Sequence, residues 1–106
     1  MPSIAMQSGS TQGLTWQQYP GGTGIFMDIL TEPHSFPGTP LYDATLYGSS
    51  NHWATTGATS VYNASPTGFR VYVRYADGGP LAPADAQANG WYIRWVGTYI
   101  SYTYSQ

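Results

Sequence analysis

Two histidines, five carboxylates and three arginines carry most of the reactive chemistry of this chain. His34 lies between Pro33 and Ser35-Phe36-Pro37, and His52 lies in Ser50-Asn51-His52-Trp53. With no Cys, no His-x-x-x-His and no His-Glu spacing, the two do not make a transition-metal site. Ser is plentiful, but no Gly-x-Ser-x-Gly elbow frames one as a nucleophile. Asp28, Glu32, Asp43, Asp77 and Asp85 contain, in principle, the acid pair of a glycosidase. Against this, Asp28 and Asp43 fall on strand-like stretches and Asp77 opens a turn. A chain of 106 residues also has little room for a deep cleft. Asp77-Gly78-Gly79 lacks the ligand density of a calcium loop. The expectation is a protein that is not an enzyme and uses no metal or cofactor.

The same inventory suits carbohydrate recognition better. Sugars present apolar C–H faces that stack on aromatic rings, and rims of hydroxyls that Asp, Asn, His and Arg bond in bidentate fashion. The loop Ser49-Ser50-Asn51-His52-Trp53-Ala54-Thr55-Thr56-Gly57 combines such groups. Trp53 has two readings: a ring offered to a ligand, or a ring tucked into the edge of the core.

Composition limits what else the chain can do. Charged residues are 8% of the sequence, against roughly 25% in an average soluble domain. Aromatics reach 16%, with ten Tyr and four Trp, and the net charge is -2. No basic footprint for a phosphate backbone exists, so nucleic-acid binding is excluded as an expectation. No apolar run approaches the roughly 18 to 20 residues of a membrane span. Disordered chains are charged and poor in aromatics, which this one is not. Residues 1–106 therefore read as one domain, and Met1-Pro2-Ser3-Ile4-Ala5-Met6 shows no signal peptide. So little charge gives copies little self-repulsion, and a defined oligomer is expected.

The elements that must position these residues are strands. Gly and Pro punctuate the chain, and no stretch of about 12 residues keeps a helical period. Ile25, Met27 and Ile29 alternate with Phe26 and Asp28; residues 41–47 and 59–63 are further strand candidates. The clearest alternation sets Phe69, Val71 and Val73 against Arg70, Tyr72 and Arg74. Trp91, Ile93 and Trp95 match it against Tyr92, Arg94 and Val96. With a strand around residues 4–8 the set numbers about six, which favours an all-β antiparallel sandwich. Beyond Gly97 the apolar positions Ile100, Tyr102 and Tyr104 change parity, which predicts a bulge or a change of sheet. The one helical candidate begins at Pro83 and ends at Asn89-Gly90.

If the apolar parity faces the core, Arg70, Arg74 and Arg94 all face outward, interleaved with Tyr72 and Tyr92. Read as one face of one strand pair, these five residues are either a solvated surface or an oligomer interface. Tyr and Arg are the types enriched at interfaces. Asp28 and Asp43 sit where they can pair with those arginines.

The segment Val61-Tyr62-Asn63-Ala64-Ser65-Pro66-Thr67-Gly68-Phe69-Arg70, with the later strand Ile93-Arg94-Trp95-Val96-Gly97, resembles the second half of H-type lectins, the family of snail agglutinins and discoidin C-terminal domains. Met6-Gln7-Ser8-Gly9, with Trp16 soon after, is similar to that family's opening strand and turn. The resemblance implies a six-stranded antiparallel β-sandwich that assembles as a trimer or hexamer and binds galactose-type sugars between subunits. The family's acidic residue after the first strand has no counterpart in Ser10-Thr11-Gln12-Gly13. Its arginine falls near Ser60, and its Trp-His pair near Tyr75-Ala76-Asp77. The site implied for this chain is therefore a different set, drawn from Gln12, His52, Trp53, Tyr75 and Asp77.

Two functions follow. One is a multivalent glycan-binding module, extracellular or carried on a particle. The other is a structural or receptor-binding trimerisation module of a phage fibre or similar surface assembly, with no sugar site of its own.

Overall fold

The computed structural model describes residues 2–21, 23–32 and 35–102. His34 and Tyr104, both singled out above, lie outside the described residues.

Two antiparallel sheets pack on one shared core. The first contains β1 (Pro2–Ser10), β8 (Tyr92–Tyr102) and β4 (Leu41–Tyr47), in the order β1-β8-β4. The second runs β2 (Gln17–Gln18), β3 (Gly24–Leu30), β7 (Gly68–Tyr75) and β5 (Thr55–Thr56), with β6 (Tyr62–Ser65) also paired to β7. The six strands expected from alternation are all present, and the two-residue strands β2 and β5 are added to them.

Alternation decides which side chains meet between the sheets. Ile25, Met27 and Ile29 of β3 and Phe69, Val71 and Val73 of β7 are buried. So are Tyr42 and Ala44 of β4 and Trp91, Ile93 and Trp95 at and within β8. Tyr42 lies flat on Phe69 across the sheets, ring centroids 4.4 Å apart, and both rings meet Trp95 edge-on. Two buried ring donors of this core are satisfied: Tyr42 donates to the Ser65 carbonyl at 2.6 Å, and Trp16 Nε1 donates to the Trp91 carbonyl at 3.1 Å. Gly9 is needed where it stands, because a Cβ there would lie 2.7 Å from the Trp95 indole.

Helix α1 (Pro83–Ala88) links β7 to β8 and inserts Ala86, with the preceding Leu81, into the core. It begins at Pro83 as its sequence predicts. The Asp85 carboxylate accepts the Ala82 amide at 2.9 Å, and Gly90, at φ +66°, turns the chain out after it.

Three expectations are corrected. The two strongest alternating strands do not pair with each other: β7 pairs with β3, β5 and β6, whereas β8 pairs with β1 and β4. They face each other across the core, so their outward residues lie on opposite surfaces of the molecule. No bulge or sheet change occurs at Gly97, since the β1–β8 register runs unbroken from Ser10↔Arg94 to Pro2↔Tyr102. Gly97 is small because the rings of Phe36 and Tyr42 close over it, 2.8 and 3.0 Å from where a Cβ would lie. Finally, the strand expected at 59–63 starts only at Tyr62. Gly57, at φ +103°, and a Ser60 amide bond to its carbonyl at 3.0 Å close a turn first.

Candidate binding site

The residues nominated from sequence split between a loop cluster and a separate turn. His52 and Trp53 sit in a single 3₁₀ turn (His52–Ala54), entered through Asn51 at φ +65°. Bonds to the neighbouring segments hold it: Ala76 donates to the Ala54 carbonyl at 2.9 Å, and Ser50 and Asn51 both donate to the Asn89 side-chain oxygen, at 2.8 and 3.0 Å. Thr55 pairs with Tyr75, so His52, Trp53, Tyr75 and Asp77 belong to adjoining segments. Gln12 lies on the turn after β1, where its amide donates to the Ser10 hydroxyl at 3.2 Å.

Within that cluster Asp77 and Trp53 are exposed. Trp53 is 87% exposed, which excludes the reading that tucks it into the core edge. Tyr75 is half-buried, edge-on to Trp91 at 6.2 Å, and belongs to the packing. Asp77 uses a carboxylate oxygen to accept the Gly79 amide at 2.8 Å, closing a turn through Gly78 at φ +81°. His52 is half-buried, and its Nδ1 is enclosed without a hydrogen-bond partner among the described residues.

A more coherent site lies on the outer face of the β2–β3–β7–β5 sheet. There an open groove of about 580 Å³ is lined by Tyr19, Tyr62, Tyr72, Arg74, Thr56 and Ser60, among others. Tyr72 is its centre. Tyr19 and Tyr62 meet it edge-to-face, with centroids at 5.6 and 4.9 Å. Gly57 lets the chain close over this strand, since a Cβ there would sit 2.6 Å from the Tyr72 carbonyl oxygen.

Arg70 braces the groove from one side. Its guanidinium makes two bonds to Asp28, at 2.6 and 2.8 Å, lies 4.4 Å over the Phe26 ring, and donates to the Tyr72 hydroxyl at 3.1 Å. Asp28 faces Arg70 directly in the β3–β7 register, so the expected pairing of this carboxylate is present. The Arg70 hydrogen bonds hold the Asp28 carboxyl below the usual carboxylate range, and the same bonds raise the arginine. The side chain of Arg74, four residues on, has no ion pair or hydrogen bond among the described residues, and Arg74 lines the groove. Together these residues offer ring faces and edges, hydroxyls and one free guanidinium.

The outer face of the other sheet holds the rest of the proposed interface. Arg94 lies 5.1 Å over the Tyr47 ring, and Tyr47 stacks on Tyr92 at 5.7 Å. Asp43, Ser8, Ser10 and Thr45 join Arg94 around a depression of about 470 Å³. Asp43 forms no ion pair among the described residues. The five interface residues thus divide, with Arg70, Tyr72 and Arg74 on one surface and Tyr92 and Arg94 on the other.

Sequence reading missed Tyr19, Tyr62, Thr56 and Ser60. Tyr62 carried a signal, an aromatic at the outward parity of a strand adjoining another outward tyrosine. Tyr19 carried none, because its place depends on how β2 lies on β3.

No family model matches the chain, and no curated protein or solved structure matches it significantly. The fold and the site define a class: a two-sheet antiparallel β protein with an aromatic groove on one outer face.

Proposed function

We propose that the chain is a carbohydrate-binding module, acting outside the cell or on a particle as a symmetric oligomer. One observation carries the reading: three tyrosine rings share an open groove, bordered by threonine and serine hydroxyls, with an arginine whose side chain is unpaired among the described residues. A sugar's C–H face stacks on Tyr62 or Tyr19, each about half exposed, while neighbouring hydroxyls on its rim accept from the Arg74 fork. Arg70, committed to Asp28 and Tyr72, keeps the platform from collapsing. An open groove gives weak single-site binding, which several copies raise by avidity. The resemblance of residues 61–70 and 93–97 to H-type lectins favours galactose-type or related glycans, with a trimer or hexamer as the oligomer.

A glycan array tests this. Binding is expected for the wild-type chain and lost, with the fold intact, in Tyr62→Ala and Arg74→Ala. Loss in Trp53→Ala alone would move the site to the 3₁₀ turn. A clean array from a stable oligomer would replace this reading with the structural-module alternative. The exposed apolar end of the β1–β8–β4 sheet is the observation that favours that alternative.

A further inference from the structure

The outer face of the β1–β8–β4 sheet changes character along its length. Around Arg94 it is polar. Past Val96 it becomes apolar, and it stays uncharged through residues 98–102 and the whole of β1. Direct cross-strand partners share a face. The register sets Ile4 opposite Ile100, and lines Met6, Thr98 and Leu41 up in the adjacent row. All four large apolar side chains are open to solvent: Leu41 by 74%, Ile4 by 64%, Met6 by 62% and Ile100 by 43%. They form one contiguous patch, not scattered surface residues.

The backbone beneath the patch is short of support. β4 ends its pairing at Leu41↔Thr98, so, among the described residues, 99–102 pair only with residues 2–5 of β1. Two-stranded ribbons of this kind are marginally stable in water. Their inner face holds little beyond Ala5, Tyr99 and a Ser3–Ser101 hydroxyl contact at 2.8 Å. An exposed apolar face on a thin ribbon is unfavourable twice over unless something covers it.

We propose that the patch formed by Ile4, Met6, Leu41 and Ile100 packs face to face on the same patch of a second copy of this chain, about a two-fold axis. Three features select a copy over another partner. The patch carries no charge, so a copy meets it without repulsion and a charged partner gains no ion pair. The four side chains, 43% to 74% exposed, make one contiguous apolar surface of the kind that marks a protein–protein contact. An isologous contact lets each ribbon supply the layer the other lacks. The contact rests on the oligomer part of the functional reading, of whose two assemblies it fits the hexamer and not the trimer, and does not depend on sugar binding, since the groove lies on the opposite sheet.

Sedimentation equilibrium of the full chain tests it. The wild type is expected at twice the monomer mass, or at an even multiple of it. Leu41→Asp should weaken association about tenfold or more, whereas Leu41→Met should retain it, and circular dichroism should show all three folded. Because β4 is itself an edge strand, Thr98→Asp on the central strand β8, in the same outward row, should weaken association equally if the contact is face packing and leave it unchanged if it is strand addition. A monomeric or three-copy wild type would overturn the proposal, as would a Leu41→Asp variant of unchanged mass. Glycan binding at single sites should be the same in Leu41→Asp as in the wild type. A clean array beside an intact dimer would then remove the sugar reading alone.

Discussion

The two outer faces of these packed sheets are built by the same period-two alternation and differ in character. On the β3–β7 sheet the outward positions hold Phe26, Asp28, Arg70 and Tyr72, which brace one another through a bidentate ion pair, a guanidinium over a ring and a tilted ring pair, with Arg74 beside them on the groove. On the β1–β8–β4 sheet they hold Arg94 and Tyr47 at one end and bare Ile4, Met6, Leu41 and Ile100 at the other. A face whose side chains satisfy one another can stay open to water and wait for a polar ligand. A face with four unpartnered apolar side chains gains most from being covered. Outward parity therefore says where a residue points and nothing about whether that surface ends up wet.

The largest effect should come from the layer both faces share. Trp95→Ala removes an indole packed on Tyr42 and Phe69, and is expected to cost about 3–5 kcal/mol in denaturant unfolding, with both functions lost together. Gly97→Val overfills the space under Phe36 and Tyr42 and should cost about 1–3 kcal/mol, loosening β4 and the ribbon before the groove. Hydrogen exchange at Leu46 compared with Val71 would show that order. Tyr72→Ala acts on one face only. It should cost about 1 kcal/mol from lost ring contacts and abolish glycan binding, while leaving the sedimentation mass unchanged.

The smallest effect is the pH response of the Arg70 brace. The folded Asp28 pKa is depressed below 3.8, so its contribution is fully present above that value and lost as pH falls through the folded pKa. Because the pair is partly exposed and screened by solvent, the effect is small. Urea midpoints of wild type and Asp28→Asn should differ at pH 6 and converge toward pH 2.

Much of the architecture could be read from the residues. Leu41–Tyr47 has the limits its flanking Pro40 and Gly48 suggest, and α1 starts at the proline and ends at the Asn-Gly pair. Partner choice could not be read. Phe69-Val71-Val73 and Trp91-Ile93-Trp95 are equally suited to lie side by side or to pack face to face, and alternation is the same either way. The apolar residues past Gly97 looked like a change of phase because an outward isoleucine is ordinarily an inward one. The structure keeps the phase and exposes Ile100, which makes the parity conflict a mark of a surface. The groove was hidden for a related reason: Tyr19, Tyr62 and Tyr72 meet only through the order β2-β3-β7-β6, which no local pattern encodes.

The division of labour between the faces is tested most directly by an NMR titration of the isotopically labelled chain with the glycan an array selects. Amide and ring shifts should concentrate at Tyr19, Tyr62, Tyr72 and Arg74, and be absent at Met6, Leu41 and Ile100. Shifts confined to the apolar ribbon face, or to the turn that carries Trp53, would contradict the account.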